Sequence, residues 1–254
     1  MNDFLSFFAV EDWLNRPGPY ELKLEKIILI LVFVFLIVFL PIKLRNNEKG
    51  TRKALIFFWL FAVSIDLIKY IFFNAFVTAN NLGLDRMELP LWTCTIYLFA
   101  MPLSLFCKNE KVKNACNGFL CSISMIGGFI NFFFSAESVF SFLGLHTFLY
   151  HFVLLITPII MLVSGYYKPK FKDFIGGFLV FIIYAIPVFI FDNIFKQDYM
   201  FIYNGAWFGP AWEIAKLMPH KLLWTFVCVI AHGGVCALII FIESKLINLK
   251  KLNK

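Results

Sequence analysis

Residues Ala54–Phe76 read ALIFFWLFAVSIDLIKYIFFNAF, an apolar run broken only by Asp66 and Lys69 among its charged residues. A helix of about 20 apolar residues crosses a hydrocarbon core. The spacing i, i+3 places the two charges on one helix face. A charge at the bilayer centre costs about 2.5–3.5 kcal/mol on insertion scales, so the pair is expected to face a partner or a cavity. Two readings stay open at this point: an internal ion pair that lets both charges survive, or side chains turned to a substrate.

Six further apolar segments flank this one: Ile27–Ile42, Leu89–Cys107, Ala115–Phe134, His146–Gly165, Phe174–Phe191 and Leu222–Ile242. With 61% hydrophobic residues and a mean hydropathy of +0.80, the chain lies well above the roughly 45–50% apolar content of soluble domains. The predicted fold is an all-α, polytopic, seven-transmembrane-helix bundle. The domain reading has an outer interfacial amphipathic segment at 1–22, a membrane domain at 23–246 and a basic tail at 247–254. Phe4–Leu14 is the amphipathic stretch, and its acidic residues and Trp13 argue against a signal peptide.

The net charge of +7 does not indicate nucleic acid, because of where the charges fall. Loops one, three and five carry Lys43, Arg45, Lys49, Arg52, Lys53, Lys108, Lys111, Lys113, Lys168, Lys170 and Lys172. The tail adds Lys245, Lys250, Lys251 and Lys254. Most of the 23 basic residues thus sit on one side, which predicts the N-terminus outside and the C-terminus in the cytoplasm. Anionic inner-leaflet lipid is the expected partner of that surface. Membrane phospholipids are the expected partners overall, with no nucleic acid, no cofactor and no metal, and the oligomeric state is open. The cell membrane is the expected location.

Asp66, Lys69, Cys94, Asn131, His151 and Asp192 all count to the outer half of their segments, which suggests one polar pocket opening outward. The expected lining is Asp66, Lys69, Trp92, Asn131, Tyr184 and Asn193. Cys94 lies five residues beyond Leu89 and His151 five beyond His146, so both count to roughly 8 Å below the outer boundary. A thiol and an imidazole at one depth form a nucleophile and base if their helices adjoin. A membrane cysteine is more often a packing residue, and a lone His232 in the last segment is more often a satisfied hydrogen bond. His146 and His151 point about 140° apart and make a poor metal pair. The six cysteines form no C-x-x-C pair. The aromatic loop around Trp207, Phe208 and Trp212 reads as an interfacial belt or as a lid over the pocket.

Leu89-Pro90-Leu91-x-x-Cys94 resembles the L-P-L-H-x-C signature of the bacterial YwaF family of integral membrane proteins. Phe148-x-x-His151, Gly165-Tyr166-x-Lys168-Pro169, Tyr184-Ala185 and Asp198-Tyr199-Met200-Phe201 continue the resemblance in the same order. Trp92 stands where that signature has His, and Tyr150 where the family has Ser. The family is grouped with transmembrane protein 164, a cysteine-dependent acyltransferase of ether phospholipids. The resemblance implies lipid acyl transfer, with Cys94 as nucleophile and His151 as base. For such a reaction, hydrogen bonding in a low-dielectric site makes Asn131 or Lys69 the expected oxyanion donor. The alternative is a seven-helix binder or transporter using the same pocket.

Overall fold

A computed structural model describes residues 24–79, 89–134, 141–202, 216–218 and 220–252. The segment at 1–22, Arg86 and the aromatic loop residues Trp207, Phe208 and Trp212 lie outside the described residues. Among the described residues the elements are α1 (Leu24–Lys43), α2 (Glu48–Ala79), a 3-10 turn (Thr93–Thr95) leading into α3 (Ile96–Phe106), and α4 (Glu110–Phe119). A π turn (Leu120–Ser124) joins α4 to α5 (Met125–Phe134). Then come α6 (Phe142–Ser164), α7 (Asp173–Phe195), a 3-10 turn (Tyr199–Phe201) and α8 (Lys221–Leu252).

Among the described residues six helical runs are long and apolar enough to cross a membrane, with Glu110–Phe134 counted as one of them. The seventh expected span is shorter than its apolar segment, because Thr93–Phe106 alone is helical there. Pro90 lies ahead of the helix rather than in its first turn. The Thr95 hydroxyl donates to the Trp92 carbonyl at 2.6 Å, and the Tyr184 hydroxyl donates to the Pro90 carbonyl. Side-chain hydroxyls thus hold the Pro90–Trp92 backbone out of the helix by satisfying carbonyls that would otherwise need helical partners.

Several other helix ends follow ordinary capping. The Asn109 side chain accepts from the Lys111 and Val112 amides to open α4. Ser141 accepts from the Gly144 amide to open α6, and Gly165 at φ 82° closes it. Each satisfies groups that a helix end leaves bare. The Asn47 side chain accepts from the Gly50 amide in the short link between α1 and α2.

The chain gathers into two compact units. The first contains Met1–Glu88 and Met125–Tyr167, the second Leu89–Ser124 and Lys168–Lys254. In the first unit α6 forms the centre. Phe33 meets Phe152 edge-on at 4.4 Å and Phe148 at 5.2 Å, while Phe132 stacks on Phe148 at 4.7 Å. Rings at these separations add about 0.5–1.5 kcal/mol per pair beyond their burial. Gly128 lets α5 approach α6, since a Cβ there would lie 2.9 Å from Leu154.

The second unit is built on a close crossing of α4 and α7. A Cβ on Gly118 would meet the Asp173 carbonyl at 2.7 Å, and one on Gly177 would meet Gly118 backbone at 2.7 Å. Small residues allow membrane helices this approach. Gly177→Ala should therefore destabilise the protein by about 1–3 kcal/mol through overpacking. Gly234→Ala, with nothing within 4 Å of its Cβ, should be close to neutral. Thermal unfolding of the two variants in detergent checks this, and equal midpoints would contradict the crossing.

Candidate functional site

In the first unit, Asp66 is the centre of a buried charged group. His146 Nε2–H donates to Asp66 Oδ1 at 3.0 Å, and the Lys69 ammonium lies 3.7 Å from the same oxygen. Lys69 also sits over the Tyr70 ring, 4.6 Å from its centre. The i, i+3 pair is thus an internal ion pair, as one of the two sequence readings held, and His146 from α6 completes it. Asp66 is 1% exposed and its Oδ2 makes no hydrogen bond among the described residues. His146, dismissed as a metal ligand on its spacing to His151, carries this interhelical contact instead. Nothing in the spacing along one helix could reveal a partner 80 residues away.

His151 lies one turn and a residue further along α6. Its Nδ1–H donates to the Thr147 carbonyl at 2.7 Å, a bond that fixes the tautomer and leaves the lone pair on Nε2. Asn131 is gathered with neither group: it is exposed, and its amide donates to the Gly127 carbonyl of its own helix at 3.0 Å. The depth count also changes with the helix ends. α6 begins at Phe142 rather than His146, which puts His151 about 13 Å along its helix, whereas Cys94 lies in the first turn of its own.

Cys94, Trp92, Tyr184 and Asn193 all belong to the second unit. Cys94 occupies the middle of the 3-10 turn that opens α3. A helix start presents unpaired N–H groups and a partial positive charge, both favourable to an anion. Thr95 Oγ1 and the Tyr184 hydroxyl lie 3.3 Å apart beside this turn. The Trp92 ring meets Tyr199 edge-on at 5.1 Å, so the indole that replaces the signature His is packed against the segment after α7. Asn193 is turned back on its own helix, donating to the Phe189 carbonyl at 2.7 Å.

Its neighbour Asp192 is fully buried, and neither carboxylate oxygen has a hydrogen-bond partner among the described residues. His232 stacks on Phe181 at 4.4 Å and its Nδ1–H donates to the Cys228 carbonyl at 2.8 Å. That bond stays within one helix, so the expected interhelical bond is replaced by a ring stack. His232 therefore shares with His151 a fixed tautomer, which residue type and depth alone could not show.

Six helical runs long and apolar enough to cross a membrane among the described residues, with polar groups buried along them, make this a multi-pass integral membrane protein. The family model of the TMEM164 family matches residues 21–242, most of the chain, and the protein belongs to that family. Comparison with curated proteins and with solved structures gives no match.

Proposed function

We propose that the protein is a membrane lipid acyltransferase that works through a thioester on Cys94. The observation that carries this reading is the placement of Cys94 at the start of a short helix, behind a non-helical Pro90–Trp92 segment. Irregular backbone at membrane depth is tolerated where it is buried in protein or lines a cavity. A thiolate there is favoured by the helix end, and the resemblance to a family with an acyltransferase member supports acyl transfer as the reaction class.

In the first step the Cys94 sulfur attacks the ester carbonyl of a phospholipid. The thiol proton passes to a general base, the role proposed for His151, and on to the leaving glycerol oxygen as the C–O bond breaks. In the second step an acceptor lipid hydroxyl gives its proton to the base and attacks the thioester, restoring the thiol. The oxyanion of each tetrahedral intermediate is stabilised by the positive end of α3. Lys69 is held by Asp66 and Asn131 by Gly127, which favours the helix end over either side chain. With water as acceptor the same steps give hydrolysis.

The buried Asp66–Lys69–His146 group also favours a second reading, a binder or transporter in which these charges meet a ligand. A covalent acyl adduct separates the two, since only the enzyme forms one.

The cytoplasmic C-terminus belongs to the same proposal and rests on the one-sided lysines. A cysteine at Lys49 should resist a membrane-impermeant maleimide in intact cells, and one at Asn204 should label. The reverse pattern would invert the orientation.

A further inference from the structure

Cys228, His232, Cys236 and Glu243 stand at steps of four, four and seven along α8, which places them within about 80° of one another on one helix face. That face is the packed one. His232 stacks on Phe181. The Cys236 thiol lies 3.1 Å from the Ser122 hydroxyl of the π turn and 3.5 Å from the Phe174 carbonyl that begins α7. The contact with Phe174 sets this part of α8 beside the start of α7, next to the Lys168–Lys172 loop. Glu243 follows at the lysine-rich end of the stripe.

Glu243 is 7% exposed, and both its carboxylate oxygens are buried without a hydrogen-bond partner among the described residues. Among the described residues the thiols of Cys121, from the π turn, and Cys236, from its own helix, face it. Two of the charged residues on the other elements packed against α8 have partners of their own. Lys113 of α4 lies 3.7 Å from Glu110, and Asp173 of α7 accepts from the Lys170 amide. Lys245 lies over the Phe241 ring at 5.5 Å. A buried carboxylate with no donor and no cation beside it among the described residues is costly as an anion, and such groups take up a proton instead.

We propose that Glu243 is a proton-binding site, held as the neutral acid at the lysine-rich end of the α8 stripe. It is separate from the Cys94 chemistry and stands whether or not that chemistry does. The site gives the second unit a proton store reached from the face that carries the basic loops. His232 and the two thiols continue the titratable groups along the same helix face.

A carbodiimide reads this state directly. The carboxyl proton moves to one carbodiimide nitrogen, the carboxylate oxygen bonds to the central carbon, and rearrangement leaves a stable N-acylurea on the side chain. The test treats the full-length protein in lipid vesicles with dicyclohexylcarbodiimide or with a water-soluble carbodiimide at neutral pH, followed by peptide mass spectrometry. The apolar reagent should modify Glu243 about tenfold faster than the water-soluble one, because the acid is buried and protonated. Glu243→Gln should keep the thermal midpoint of the parent chain, since an amide replaces a neutral acid of the same shape. Absence of the Glu243 adduct, equal modification by both reagents, or a large loss of stability in Glu243→Gln would overturn the proposal.

Discussion

Cys94→Ala is expected to insert and fold as the parent chain does and to lose acyl transfer by roughly three orders of magnitude or more, since the step that forms the thioester has no substitute nucleophile. His151→Ala should lose most activity while keeping slow acylation, because a thiol retains some intrinsic nucleophilicity. The remaining thiols serve as internal controls. Cys107, Cys116, Cys121, Cys228 and Cys236 should each tolerate Ala with turnover intact. The assay is transfer of a labelled acyl chain between phospholipids by the purified protein in vesicles. If His232→Ala rather than His151→Ala gives the partial loss, the base lies on α8. If Cys228→Ala and not Cys94→Ala is dead, the nucleophile is reassigned and the reaction class survives.

The largest expected effect on stability comes from Asp66. Removing its carboxylate takes the ion-pair partner from the half-buried Lys69 ammonium and the acceptor from His146. Breaking a buried ion pair on one side typically costs about 3–5 kcal/mol. Asp66→Ala should therefore unfold at markedly lower denaturant or temperature than the parent protein. Asp66→Ala combined with Lys69→Met should recover much of that loss, because neither charge is then stranded. A double variant no more stable than Asp66→Ala alone would show that the ion pair is not the source of the effect.

The membrane architecture was legible in the sequence because hydropathy measures the cost of placing a residue in lipid, and that cost is additive along a helix. Ala54–Phe76 and Phe174–Phe191 both fall within helices on this ground. The third segment was harder. Leu89–Cys107 is apolar throughout, but hydroxyls from Thr95 and from Tyr184, the latter 94 residues from Pro90 along the chain, hold Pro90–Trp92 out of the helix. Hydropathy does not register that bond. The ion pair of Asp66 and Lys69 was visible as a local spacing, whereas its His146 partner was not. The polar positions also divide between two units, with Asp66, Lys69, His146 and His151 in one and Cys94, Trp92, Tyr184, Asp192 and Asn193 in the other. Depth counted from segment ends drifted because α6 and α7 extend beyond the apolar runs that marked them. In the sequence Glu243, near the end of a span, reads as an interfacial charge, and only its burial in the fold distinguishes it.

The most direct measurement is the mass of the Cys94 peptide after the purified protein meets a phospholipid carrying a defined acyl chain. Acid quenching before acceptor lipid is added should trap the acyl-enzyme. The expected result is one added acyl group on Cys94, released by hydroxylamine as a thioester must be, and absent from every other cysteine. An unmodified Cys94 peptide from a preparation that turns over lipid would contradict the thioester reading.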